Sequence, residues 1–251
     1  MGLECAVRDG VATVTIDNPA KRNAMTARMW RELPELLEPL AKDPAARVLV
    51  LTGAGDDFCA GADISELADI NRTGDANLSS RAENALASFP KPTVAAIRGF
   101  CVGGGCQLAA ACDVRFAEHG ARFAITPAKI GIVYPPTAIE RLVGLVGPAS
   151  AKYLLYSADL VTAEHALRIG FLEETAEDVG ARVAEFVRTL LSRSQFSLEA
   201  AKDIVGGIAD GSLTEERVDG WMRGSVEGED AAEGIAAFLA RRPARFTWTR
   251  Q

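Results

Sequence analysis

The sequence predicts an α/β fold, and three observations carry that prediction. The runs Val11–Asp17, Val48–Thr52 and Thr93–Ile97 are β-branched or wholly apolar and have the length of strands. The second and third are followed by loops of small residues that lead into helical patterns. After Pro148 the chain turns mainly helical, so strand-rich organisation comes first and helix-rich organisation last. With 251 residues, 48% of them hydrophobic, it can bury a core as one large domain or as a domain with a helical appendage.

The elements follow in order. Val11–Asp17 alternates and ends in the turn pair Asn18-Pro19. Thr26 is placed to cap an apolar-periodic helix from Met29 to Leu40, with Pro34 inside it predicting a kink or a late start. Val48–Thr52 is continuous and apolar, as in strands buried on both faces. The loop from Gly53 to Asp63 leads into a helical stretch beginning Ile64-Ser-Glu-Leu, and Asn71 to Ser80, polar and without periodicity, reads as a mobile surface segment flanking a pocket. Thr93–Ile97, the glycine turn to Gly105 and the small-residue stretch Cys106–Asp113 read as strand, turn and buried helix. Val114–Ala117 and Arg122–Ile125 are further strands. Helices are expected over 149–156, 163–169, 181–191, 198–205 and 215–226. The best boundary lies near Ser192 to Ser197, giving a core over 1–195 and a helical region over 196–251.

A formal charge of −7 argues against a general nucleic-acid binder, which needs a basic surface to neutralise phosphates. No apolar run has the length of a membrane span and Met1 to Gly10 lacks a signal-peptide pattern, so the expectation is a cytoplasmic protein without a membrane partner. Five cysteines without a CxxC pair, and two histidines, His119 and His165, predict reduced thiols and no metal site.

The chemistry is expected at the glycines. Gly103-Gly104-Gly105 precedes a helix whose first amides have no partner within it, and glycine lets a ligand oxygen approach that backbone. The plain alternative is a tight structural turn. A second loop of the same character, Cys59-Ala-Gly-Ala-Asp63, follows an earlier strand, and two such loops at adjacent strand ends could each donate one N–H to a single oxyanion.

These loops, with Asn18–Met25, Lys91–Ile97, the helix pattern over Leu160–Gly170 and the tail from Ala237 to Phe246, resemble the crotonase (enoyl-CoA hydratase/isomerase) family in order and spacing over nearly the whole chain. The resemblance implies a crotonase-like spiral of ββα units and a C-terminal helical region used in trimer contacts, giving a homotrimer or a dimer of trimers. It assigns the oxyanion hole to the N–H groups of Ala62 and Gly104. It places Lys21, Arg22, Ala24, Ala60 and Ile64, with Arg241 from the tail, beside the CoA part of an acyl-CoA thioester substrate; solvated surface is the alternative for the charged ones. CoA then belongs to the substrate, and no separate cofactor is implied.

The family's hydratases use two glutamates, and neither is present. Gln107 stands at the place of the first and Pro127 at that of the second. Glutamine can orient water but cannot accept its proton at neutral pH. This directs the expectation to an acyl-CoA lyase that decarboxylates a malonyl-type thioester, since loss of carbon dioxide creates the enolate without a base. Thr126 to Tyr134 resembles the corresponding region of the family's methylmalonyl-CoA decarboxylases, with Tyr134 as proton donor, although Ala62 stands where that subclass carries histidine. Glu140 is held as a spare base, against the alternative of a surface carboxylate. The other readings are an atypical enoyl-CoA hydratase or isomerase using Gln107, Tyr134 or Glu140, and a non-catalytic acyl-CoA-binding protein.

Overall fold

A computed structural model describes residues 1–72 and 74–250. Its strands are β1 (Gly2–Arg8), β2 (Val11–Asp17), β3 (Val48–Gly53), β4 (Thr93–Ile97), β5 (Phe100–Val102), β6 (Val114–Glu118), β7 (Arg122–Ala124), β8 (Val161–Thr162) and β9 (Glu174–Ala176). They form a large sheet in the order β1-β2-β3-β4-β6-β9 and a small one in the order β5-β7-β8. The large sheet is parallel apart from β1 against β2.

The helices of the first half are α1 (Ala27–Lys42), α2 (Leu67–Ile70), α3 (Leu78–Ala87), α4 (Gly104–Ala111) and α5 (Pro127–Ile130). The second half contributes α6 (Pro136–Ser157), α7 (Ala163–Arg168), α8 (Val179–Leu191), α9 (Gln195–Ala209), α10 (Glu215–Glu227) and α11 (Glu229–Leu239). The unit strand, strand, helix recurs as β4-β5-α4 and β6-β7-α5, with the first strand of each in the large sheet and the second in the small one. Cys59 bridges Cys101, so the loop after β3 adds an incipient strand to the small sheet and an earlier turn to the same spiral.

Continuous apolar strands are explained by burial on both faces. Val48 and Val50 of β3, with Val94 and Ala96 of β4, pack with Val179, Val183 and Val187 of α8. The alternate residues Leu49, Leu51, Ala95 and Ile97 face the main core, which α1, α3, α4 and α6 cover.

Several expectations are corrected. The late start of α1 does not occur: Thr26 accepts from the Met29 N–H, and Ala27, Met29 and Trp30 are already buried in the first turn. Strand β1 was not anticipated, although its turn is a hairpin signal, Asp9-Gly10, with positive φ at both residues (49° and 86°). The segment read as mobile surface holds a 3-10 turn, Gly74–Ala76, and then Asn77, whose side chain accepts from the Ser80 N–H to cap α3; Thr73 lies outside the described residues. The first half of α6 was also missed, and the helix is interrupted at Gly147 (φ 72°) just before the stretch that was expected. Among the described residues no helix is long and apolar enough to cross a membrane.

Candidate active site

The two glycine loops meet. Ala62 bridges Met25 in parallel fashion: Met25 N–H donates to Gly61 O (2.7 Å) and Asp63 N–H to Met25 O (2.8 Å). In that pattern the hydrogen bonds flank Ala62, so its own N–H points away from Met25. On that side lies Gly104: a Cβ built on Gly104 would sit 3.2 Å from Ala62 N, and one on Gly61 would sit 3.3 Å from Gly104 N. Gly104 opens α4, so its N–H has no acceptor within the helix. Neither amide has a backbone partner among the described residues.

Glycine is required here for two separate reasons. Gly103 adopts φ 52°, ψ −113°, a conformation that side chains disfavour. Gly105 passes so close to the preceding loop that a Cβ would stand 2.2 Å from Cys59 O. Gly103 is held by its N–H, which donates to Ala124 O (2.8 Å), and by its O, which accepts from the Tyr134 hydroxyl (2.8 Å).

The amides open into a cleft whose walls include Trp30, Ile64, Ile130, Ile132 and Tyr134. Gln107 and Pro127, the two positions that depart from the family's hydratases, also line it. Pro127 has no group to offer and serves as the first residue of α5. Tyr134 is buried, which pushes its hydroxyl well above the usual tyrosine range, so it stays protonated and its proton is engaged by Gly103. Glu140 is exposed and is not part of the cleft wall; the structure does not bring it to the cluster.

Sequence reasoning missed a carboxylate. Glu83 on α3 is fully buried and accepts from Gln107 Nε2 (2.7 Å), from Thr137 Oγ1 (3.1 Å) and from Arg141. A signal existed: Ser79, Ala82, Glu83 and Leu86 share one helical face, and the apolar members mark that face as buried.

The residues expected beside CoA separate into two groups. Ala60 and Ile64 line the cleft. The segment 21–24 does not, but it is stitched to the loop behind the cleft: Ala60 N–H donates to Arg22 O (2.9 Å) and Lys21 Nζ to Asp63 Oδ2 (2.5 Å). That lysine holds the Asp63 carboxyl down at about 2, with help from Ser65. Arg22 lies over the Phe100 ring, 4.5 Å from its centroid. Ala24 is buried, and Asn18 and Asn23 are turn builders whose side chains tie the segment to Ala24 O, Ala54 O and Asp57 O. Arg241 is exposed just past α11 and does not line the cleft.

The cysteines are unpaired: Cys5 is exposed and the other four are buried, with burial pushing the thiols of Cys59 and Cys112 up to about 12.

Comparison with known proteins now bears on the chemistry. The family model described as Enoyl-CoA hydratase/isomerase matches residues 6–249. The crotonyl-CoA hydratase of Syntrophomonas wolfei is 32% identical, the match covering 94% of each chain. The 2,3-dehydroadipyl-CoA hydratase of Escherichia coli is also 32% identical over 94% of each. A crystal structure of an enoyl-CoA hydratase/isomerase family member superposes with a TM-score of 0.95 at 42% identity, covering 100% of this chain and 98% of that one. These names correct the expectation of a decarboxylating lyase: relatives aligned over nearly the whole chain are named as hydratases of enoyl-CoA thioesters and point to hydratase rather than decarboxylase chemistry.

Proposed function

The chain belongs to the enoyl-CoA hydratase/isomerase family, and from that premise we propose that it is an atypical enoyl-CoA hydratase or isomerase. The observation that carries the reading is the pair of amides, Ala62 and Gly104, side by side at the cleft with no backbone acceptor among the described residues. A thioester oxygen placed between them gains two fixed donors, and the interaction strengthens as that oxygen becomes an enolate oxygen. Addition of water at C3 and removal of a proton from C2 both generate that enolate. One oxyanion hole therefore serves either reaction, and the thioester itself is the electron sink, so the reading calls for no organic cofactor or metal.

The apolar wall of Trp30, Ile130 and Ile132 suits a hydrocarbon acyl chain. Lys21 and Arg22 are the local positive charges that would meet the CoA phosphates in an otherwise acidic protein. The C-terminal helices supply the contact surface of a homotrimer or a dimer of trimers in this reading. Val226, Phe238 and Leu239, each more than three-quarters exposed in the single chain, support it.

The test is incubation with crotonyl-CoA and mass analysis of the thioester. Gain of one water establishes hydration; isomerisation is read separately, from a 3-enoyl-CoA thioester, by the ultraviolet absorbance of the conjugated 2-enoyl thioester it would form. Tight binding with no conversion would favour the second reading, a non-catalytic acyl-CoA-binding protein, which draws its support from Gln107 and Pro127 at the two glutamate positions.

A further inference from the structure

Behind the cleft lies a buried polar network centred on Glu83, a residue outside the family motifs. Glu83 is fully buried on α3, and Gln107, 2% exposed on α4, stands between it and the cleft. A carboxylate paired with a guanidinium has only acceptors to offer, so the Gln107 atom 2.7 Å from Glu83 Oε2 must be the amide nitrogen. The same nitrogen lies 3.4 Å from Ser79 Oγ. The amide hydrogens are thus taken up by Glu83 and Ser79, and the carbonyl Oε1 is the end of Gln107 left for a ligand. Thr137 and Arg141 donate to Glu83 as well, one to each oxygen, and fix its plane.

We infer that Glu83 is a positioning residue that locks the Gln107 amide with Oε1 toward the acyl group, so that this wall recognises a hydrogen-bond donor: the attacking water, or the hydroxyl of a 3-hydroxyacyl thioester. An acceptor there, such as a free carboxylate on the acyl chain, would meet a carbonyl dipole of the wrong sign. The same lock accounts for glutamine at position 107. A glutamate there would face the Glu83 carboxylate at hydrogen-bond distance with no proton between them, whereas an amide donates to it. The inference rests on the acyl-CoA reading of the cleft.

The test compares binding of 3-hydroxybutyryl-CoA and butyryl-CoA by titration calorimetry, so that thioester binding itself is the internal control. The wild-type protein is expected to bind the hydroxyacyl thioester about five- to tenfold more tightly, the scale of one net hydrogen bond. Gln107→Leu and Glu83→Gln should each bring the ratio of the two affinities close to one, a selective loss that a general structural defect, which weakens both ligands alike, would not produce. Should Glu83→Gln fail to fold with Arg141 left unpaired, the double variant Glu83→Leu/Arg141→Met removes the acceptor and the orphaned cation together and reads the same ratio. Equal affinity for the two ligands in the wild-type protein, or an unchanged ratio on replacing Glu83, overturns the positioning role while the thioester site stands. Failure of the wild-type protein to bind either thioester overturns the acyl-CoA reading and the inference with it.

Discussion

The two walls of the cleft are built from different materials. On one side stand the amides of Ala62 and Gly104, set by a parallel bridge to Met25 and by the start of a helix. On the other stand side chains, Gln107, Tyr134 and Pro127, with Glu83 behind them. A backbone wall constrains little except the volume that surrounds it, which is why glycines mark it in the sequence. A side-chain wall can change its chemistry one residue at a time, and here a glutamine and a proline stand at the two positions where the family resemblance leads one to expect glutamates. What the walls share is the thioester, so family membership is read from one and reaction type from the other.

The largest effect should come from the backbone wall. Gly105→Ala would place its Cβ 2.2 Å from Cys59 O, which is main chain and cannot rotate away. The expected outcome is loss of folded protein, or a melting temperature lower by on the order of 10 °C by calorimetry. A stable variant would show that the two loops can separate, breaking the view of this wall as rigid. Gly104→Ala differs, because its Cβ meets the Trp30 ring edge at 2.8 Å and Ala62 N at 3.2 Å. The ring can shift, so the fold should survive, but the space between the amides is disturbed. Turnover of crotonyl-CoA should fall by about 10²- to 10³-fold, the usual cost of losing one oxyanion donor. Turnover within twofold of wild type would remove the paired amides from the mechanism.

The side-chain wall should respond more mildly and through charge. Gln107→Glu restores the family's residue but sets two carboxylates against each other in a buried place, and is expected to cost about 1–3 kcal/mol at neutral pH in urea unfolding. Adding Glu83→Gln should recover most of that, because the amide and the carboxylate then exchange places. A single variant as stable as wild type would mean that Arg141 and Thr137 absorb the second charge, and the contrast between the walls would weaken.

Legibility in the sequence follows the same division. Strands β2, β3 and β4 are visible because burial on one or both faces imposes a pattern, and the two glycine loops because glycine at Gly103 and Gly105 is demanded by φ and by close approach. The loss of both glutamates was visible too. What replaced them was not: Glu83 belongs to no motif, and only its place on the apolar face of α3 gave any sign of burial. Choosing decarboxylation from the missing glutamates treated the site as having no carboxylate near Gln107, when one lies a single hydrogen bond behind it. Glu140 illustrates the converse, since proximity in sequence to Tyr134 says nothing about direction on a helix, and its side chain faces solvent.

The smallest effect concerns the ion pair at the back of the amide wall. Lys21 donates to Asp63, and the Asp63 carboxyl lies at about 2 in the folded protein against 3.8 ordinarily. A carboxyl depressed on folding contributes stability that is fully present above its unfolded value and is lost as pH falls through the folded one, here from about 4 down to about 2. Lys21→Met should therefore shrink the acid limb of the stability profile across that window. At neutral pH it should cost no more than about 1 kcal/mol, because the lysine side chain is half exposed and the pair is correspondingly weak. If the same variant raises KM for crotonyl-CoA without lowering kcat, Lys21 also meets the CoA phosphates. If kcat falls instead, the pair holds Ala62 in place from behind, and the backbone wall depends on a side chain after all.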